Sequence, residues 1–255
     1  KLQCRRFLAI HRHNPTVFSL GFVLAIALTA SGSALAQLDG DYPAFEPRVE
    51  PTEDGTRGTG TRGPVRDGGT CIADGAEIVL LVPSDSPLTT EALPGFLAVL
   101  PLVTESGVDR GELRIFDEEG SLYRATFPLP ETEGAIALTP PDIPDLEPGT
   151  TYDWSVRILC DEFDNSSNPI SVGQFRIAEP TPEVRDALGE ETCTERAALC
   201  ARDGIWYDPL VGVFEARLAD PDNDNLDAAW KSLLESAELG EYAELPLVGR
   251  WTFDE

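Results

Sequence analysis

The side chains that most often carry out catalysis are scarce in this chain. Its two histidines, His11 and His13, both lie in an N-terminal segment that we expect to be removed. Without an imidazole there is no Ser-His-Asp or Cys-His arrangement, no H-E-x-x-H motif and no histidine-ligated metal. The phosphate-binding sequence G-x-x-x-x-G-K-[ST] is also missing. We therefore expect no catalytic residues and no cofactor.

Carboxylates, tyrosines and a single lysine remain as possible acids and bases. The chain has 45 Asp and Glu residues, and Lys231 is the only lysine after Lys1. A glycan hydrolase that works with a pair of carboxylates is the one common enzyme class still open. Some close carboxylate pair is inevitable among so many acids, so their presence alone is weak support for this alternative.

The acidic cluster Asp220, Asp222 and Asp224 has the D-x-D-x-D spacing of a calcium loop. An EF-hand loop that began at Asp220 would need glycine at position 225 and glutamate at position 231. The chain has Asn225 and Lys231 there instead. We therefore interpret the cluster as helix capping and a solvated loop, and we expect weak divalent cation binding at most.

Residues 1–36 have the features of a secretory signal peptide. They begin with a basic stretch, continue with the apolar run Leu20–Leu28, and end in Ala34-Leu35-Ala36. We expect cleavage between Ala36 and Gln37, with the product in the periplasm or outside the cell. The apolar run is short for a span of about 20 residues, so an uncleaved anchor is the alternative and no stable membrane insertion is expected after cleavage.

The charge of the chain excludes some partners. The net charge is −26, and residues 1–36 contain four of the 19 Lys and Arg but none of the acids, so the cleaved chain would carry −30. Such a charge opposes binding to nucleic acid and to anionic membranes. A protein or another envelope component, or a divalent cation, remains possible as a partner.

Four cysteines follow the signal, and an even number in an exported chain favours disulfides. Cys71 precedes the first predicted strand and Cys160 ends a later one, so we favour the pair Cys71–Cys160. Cys193 and Cys200 would be about 10.5 Å apart in one helix, which is beyond disulfide reach. They can pair only if Cys193 lies outside the regular helix, and buried free thiols are the alternative.

The remainder divides into a linker and two structured parts. Residues 37–70 are rich in Gly, Pro and charged residues and predict a disordered linker. Residues 71–180 alternate short apolar runs with turn signals and predict a seven-stranded β-sandwich of the immunoglobulin or fibronectin type III kind. The predicted strands are Glu77–Val82, Phe96–Leu102, Glu112–Phe116, Tyr123–Leu129, Ala135–Leu138, Tyr152–Cys160 and Val172–Ile177.

Residues 181–255 change to a helical period and predict a helical hairpin after the sandwich. Thr181 is placed to cap one helix, and Thr192–Glu195 fits a capping box for a second helix that stops at Gly204. A third helix covers Leu210–Leu218, and Asn225 is placed to cap a fourth helix over Leu226–Leu234. We interpret Trp206 and Tyr207 as a packing core between helices.

Two short motifs resemble parts of known folds. Residues 146–152 resemble the L-x-P-G-T-x-Y corner of fibronectin type III domains, in which the tyrosine hydroxyl bonds to the backbone upstream. The resemblance implies that role for Tyr152, and the strand period places Trp154 on the same buried face. The segment around Gly204–Asp208 also resembles a single tetratricopeptide unit, which by itself implies no peptide groove.

The order of the motifs is similar to that of the Domain of Unknown Function 928 family of exported cyanobacterial proteins. The matching residues are Gly68-Gly-Thr-Cys71, Leu81-Val-Pro83, Pro94-Gly-Phe96, Leu146-x-x-Gly149-x-x-Tyr152-x-Trp154, Cys160-Asp161 and Gly204-Ile-Trp-Tyr-Asp208-x-Leu210. The resemblance implies export, a β-sandwich and a helical tail, and it implies no activity.

These observations favour an exported, non-enzymatic binding or scaffolding module of the cell envelope. A carboxylate-dependent glycan hydrolase and a calcium-stabilised adhesion module are the alternatives.

Overall fold

The computed structural model describes residues 42–47, 61–62, 71–83, 88–90, 94–140, 146–161, 168–179, 181–187 and 193–253. The predicted signal peptide, its cleavage site Ala36/Gln37 and most of the predicted linker lie outside these ranges. None of the helices among the described residues is long and apolar enough to cross a membrane.

The described chain is mainly β, with helices in its C-terminal part. The strands are β1 (Thr61–Arg62), β2 (Val79–Leu80), β3 (Leu88–Thr89), β4 (Phe96–Leu100), β5 (Arg110–Phe116), β6 (Ser121–Pro128), β7 (Gly134–Thr139), β8 (Thr151–Ile158), β9 (Ile170–Ile177) and β10 (Leu247–Thr252). The helices are α1 (Pro182–Ala187), α2 (Cys193–Arg202), α3 (Tyr207–Ala219) and α4 (Asp224–Ser236), and a 3₁₀ turn follows at Gly240–Tyr242.

The strands form two sheets that pack as a sandwich. The first sheet has the order β1-β9-β8-β5-β6, and β3 also pairs with β9; the second has the order β10-β7-β4-β2. All seven predicted strands are present, as β2 and β4 to β9. Among the described residues three further strands were not predicted, namely β1, β3 and β10.

The second sheet lies between the first sheet and the helices. Every residue of β4 is buried, and so are the first five of β7. Since alternate residues of a strand face opposite sides, both faces of this sheet must be covered. The inner face packs on the first sheet through Phe96, which stacks on Trp154, and α3 packs against β4 and β10.

Several of the described helix termini follow simple capping rules. The Thr181 hydroxyl accepts a hydrogen bond from the Val184 amide at the start of α1. Helix α2 ends in a left-handed glycine, Gly204, with φ of 72°, as predicted, and the Ile205 amide returns to the Cys200 carbonyl in the manner of a Schellman motif. The predicted cap of α4 was wrong by two residues, because Asn223 rather than Asn225 accepts the first amides of that helix.

The prediction of a helical end to the chain is wrong for residues 247–252. They form β10, which pairs in parallel with β7 at the edge of the second sheet. The partner of β10 is β7, which lies more than a hundred positions earlier in the sequence. Its short apolar sequence therefore gives no local signal of its partner.

The disulfide Cys71–Cys160 is present, with 5.5 Å between the two Cα atoms. It joins the segment before β2 to the residue two positions after the end of β8. Cys200 is buried, whereas Cys193 is the first residue of α2 and its side chain lies outside the described part. The pairing Cys193–Cys200 therefore stays a prediction.

Replacement of both Cys71 and Cys160 by alanine should destabilise the sandwich. The bridge spans 89 positions of sequence, and closing a loop of that length stabilises the fold by roughly 4–5 kcal/mol in the chain-entropy account. Urea denaturation of the double variant should show a lower midpoint than the oxidised native chain. The reduced native chain is the control and should unfold near the double variant; an unchanged midpoint in both would contradict the prediction.

Candidate functional site

Tyr152 and Trp154 lie on the inner face of β8, as the two-residue period predicts. The Tyr152 hydroxyl accepts a hydrogen bond from the Glu147 amide at 2.8 Å, so the tyrosine ties the preceding turn to the strand. The Trp154 ring is fully buried and lies 4.5 Å from Phe96, centroid to centroid. Both residues therefore have structural roles in the core.

Trp206 and Tyr207 connect the helices to the sandwich, which corrects the prediction that they pack between helices. The Trp206 indole donates to the Leu81 carbonyl at 2.8 Å. The Tyr207 hydroxyl accepts from the Trp154 indole at 3.0 Å and donates to the Gln174 carbonyl at 2.6 Å. Burial raises the pKa of Tyr207, so the hydroxyl stays protonated and can donate.

Asp208, the next residue, holds the short strand β3 in place. Its carboxylate accepts hydrogen bonds from the hydroxyl of Thr89 at 2.6 Å and from the amide of Thr90 at 2.9 Å. The Thr90 hydroxyl donates to the same carboxylate. The Trp206 amide donates to the Leu88 carbonyl at 2.8 Å. We call residues 204–208 the clasp, because each side chain from Trp206 to Asp208 forms a hydrogen bond with a residue of the sandwich.

The electrostatics of Asp208 follow from its surroundings. Desolvation raises the pKa of its carboxyl, and the hydrogen bonds from Thr89 and Thr90, which favour the ionised form, offset part of that rise. The residue as a whole is partly exposed. The donors of its hydrogen bonds are Thr89 and Thr90. The carboxylate therefore has a structural role.

The acidic cluster predicted as capping residues is a helix-capping loop. Asn223 accepts the amides of Asn225 and Leu226 and donates to the Asp220 carboxylate at 3.0 Å. Asp224 is the first residue of α4. Across the described ranges, no three His, Cys, Asp or Glu side chains are grouped so that they could hold a metal ion.

The outer face of the first sheet carries a concentration of positive charge. Inner residues such as Leu113, Trp154 and Phe175 are buried, so the residues that alternate with them point outward. The charged residues that point outward from β5, β6, β8 and β9 are Arg110, Arg114, Arg124, Arg157 and Arg176, with Glu112 and Asp153. We call this surface the arginine face.

The centre of the arginine face is Glu112, whose side chain is fully buried although it points outward. Arg124 binds it through Nε at 2.6 Å, and Arg157 Nη1 lies 3.9 Å from the other carboxylate oxygen. The side chain of Arg124 is 64% exposed, whereas that of Arg157 is only 16% exposed, so Arg124 remains at the surface while it pairs with the buried carboxylate. Guanidinium groups in such an array can bind carboxylate, sulfate or phosphate.

Sequence reasoning missed the arginine face, although the signal for it is present. Arg110, Glu112 and Arg114 alternate with apolar residues in β5, and Arg157 alternates with Val156 and Ile158 in β8. Each segment alone predicts only a polar strand face. The register that brings the strands side by side, with Glu112 opposite Arg157, determines the cluster.

Residues 57–247 match the family Domain of Unknown Function (DUF928). The match covers well over half of the chain, and the chain belongs to this family. No curated protein matches it. The clasp residues lie within the matched region, and so does the whole of the arginine face.

Tyr207→Phe should destabilise the fold without changing its shape. The variant leaves the Trp154 indole without its acceptor and the Gln174 carbonyl without its donor, and a lost buried partner costs about 1–3 kcal/mol. Denaturant unfolding should report this loss. Tyr42→Phe, at an exposed position, is the matched control and should be neutral; an equally small effect in both variants would contradict the assigned role.

Asp208→Asn should flatten part of the pH dependence of stability. Because the folded pKa of Asp208 is raised, its contribution is fully present below the unfolded pKa of about 4 and is lost as pH rises through the folded pKa. The neutral amide can still accept from Thr90 and donate to the Thr89 hydroxyl. The stability of the native chain relative to Asp208→Asn should therefore fall as the pH rises from about 4 through the raised pKa of Asp208, as measured by unfolding at each pH. A constant difference would contradict the prediction.

Proposed function

We propose that the protein is an exported, non-enzymatic binding or scaffolding module of the cell envelope, and that the arginine face is its binding surface. The observation that carries the proposal is the asymmetry between the two outer faces of the sandwich. Helices cover the second sheet, whereas the described residues that point outward from β5, β6, β8 and β9 include five arginines and two acids, in a chain of net charge −26.

Charge segregation of this kind favours a binding role. Five of the 19 Lys and Arg residues of the chain point outward from four strands. A positive area on a negative molecule attracts an anionic group locally, while the remainder repels extended polyanions that approach elsewhere. Such a surface would orient an anionic ligand and favour it over neutral ligands.

We also infer that the sandwich follows the immunoglobulin or fibronectin type III arrangement. Immunoglobulin constant domains place strands A, B, E and D in one sheet and C, F and G in the other. The order β2-β4-β7 corresponds to A, B and E, and β5, β8 and β9 correspond to C, F and G. Strand β10 then takes the place of D beside β7, and the Tyr152 corner supports the same assignment.

Pull-down with the chain from Gln37 onward, from an envelope extract, tests the proposed function. A specific component should be recovered at moderate ionic strength and lost at high salt, since the attraction is electrostatic. An equally acidic unrelated protein serves as the control for non-specific recovery. Repeated absence of any specific component, over a range of salt and calcium concentrations, would count against a binding module.

A further inference from the structure

A short N-terminal segment packs on the helices. Residues 42–47, with the sequence Tyr-Pro-Ala-Phe-Glu-Pro, lie within the predicted linker, and we call them the strap. Pro43 and Phe45 are buried, whereas Tyr42 and Glu46 are exposed. Because the two buried positions are two residues apart, the strap turns alternate side chains toward the body of the protein, as an extended peptide does.

The groove beneath the strap is formed by the ends of two helices and by the clasp. The Phe45 ring meets the Trp206 ring edge to face, with 5.2 Å between the centroids. The Phe45 amide donates to the hydroxyl of Ser236, the last residue of α4, at 2.7 Å. The next amide, of Glu46, donates to the Ala201 carbonyl in the last turn of α2, at 3.0 Å. The groove therefore recognises one aromatic side chain and two consecutive backbone amides.

The receiving groups are held in position by bonds that do not involve the strap. Ser236 donates its hydroxyl hydrogen to the Leu233 carbonyl at 2.7 Å, so its oxygen is oriented to accept from the strap. Trp206 is fixed by the bond from its indole to the Leu81 carbonyl. The groove is therefore preorganised for an extended peptide.

The strap makes modest contacts for the number of residues that it orders. Fixing each of its residues costs conformational entropy. The burial of Pro43 and Phe45 and the two backbone hydrogen bonds offset that cost. Because the opposing contributions are of similar size, docking of the strap is reversible, and a peptide with the same buried side chains can take its place.

We propose that this groove is a binding site for an extended peptide with a proline and, two residues later, a phenylalanine, and that the strap fills it as a displaceable intramolecular ligand. The partner is a protein that carries such a segment at an exposed position. The groove lies at the ends of α2 and α4, whereas the arginine face lies on the first sheet. The proposal therefore goes beyond the proposed function, and its test is independent of the arginine face.

The connection of the strap to the rest of the chain sets a threshold for the partner. Residues 48–60 join the strap to β1, and their sequence predicts a linker. A ligand on a short flexible linker has an effective concentration on the order of 1 mM at its site. A partner segment must exceed this advantage in concentration or affinity before it displaces the strap, so the groove stays closed to weak competitors.

Fluorescence anisotropy of a labelled peptide with the sequence of residues 40–49 tests the groove. The peptide should bind the Phe45→Ala variant of the chain from Gln37 onward about tenfold or more tightly than it binds the native chain, because the variant no longer fills its own groove. A peptide with the change Phe45→Ala should bind the variant about tenfold or more weakly. A peptide with the change Tyr42→Phe, at an exposed position, is the matched control and should bind as the native peptide does.

A change in the groove itself distinguishes recognition from a general effect on folding. Added to the Phe45→Ala chain, Ser236→Ala removes the acceptor of the peptide amide and should weaken peptide binding about fivefold, as expected for one hydrogen bond. Ser121→Ala, at an exposed position of β6, is the matched control and should leave the affinity unchanged. An equal loss in both variants would overturn the assigned groove.

The remaining outcomes are also decisive. Equal affinity of the peptide for the native chain and the Phe45→Ala chain would overturn the proposal, and so would the absence of saturable binding up to about 1 mM peptide. A native dimer that becomes a monomer in Phe45→Ala would show that the strap fills the groove of a second copy, and would overturn the assignment to a partner protein. If the Phe45→Ala chain is unstable, the native peptide should raise its midpoint of unfolding, since a ligand of the folded state stabilises it, and the Phe45→Ala peptide should not; an equal rise with both peptides would contradict recognition of the phenylalanine.

Discussion

The hydrogen bond between the Trp154 indole and the Tyr207 hydroxyl holds the two parts of the chain together. A tyrosine hydroxyl can be buried between two sheets only if it has partners there, and Tyr207 has a donor in Trp154 and an acceptor in the Gln174 carbonyl. The start of α3 is thereby fixed inside the sandwich, and the apolar core runs without a break from the strands into α3 and α4.

The position of α3 determines which outer face of the sandwich the helices cover. Once its first residue lies between the sheets, the helix must run along the second sheet, where Val211 packs against Gly95. This accounts for the apolar character of β4 and β7 on both faces. The last strand, β10, extends the same sheet, and Trp251 approaches Phe127 of the first sheet. The outer face of the first sheet is the sandwich face that the helices leave uncovered.

The sequence predicts local features well and long-range pairings poorly. The seven strands predicted from period and turn residues all overlap strands of the structure, and the Tyr152 corner follows from a short motif. The cap of α4 shows the limit, since Asn223 and Asn225 both suit a cap and only the backbone conformation selects Asn223. Strands β3 and β10 are too short or too ambiguous to predict, because their partners, β9 and β7, are distant in sequence.

The arginine face also depends on pairing between strands that are distant in sequence. The charges that this pairing brings together determine which ion pairs can form. Arg114 and Arg124 oppose each other in register, and Glu112 compensates only one of them. A sheet selected for stability alone would place a carboxylate opposite an arginine. These strands place two arginines opposite each other although the chain has 45 acids in all. Arg124 turns to Glu112 and the guanidinium of Arg114 lies over Phe116, so the two charged groups separate along β5 although their positions oppose each other.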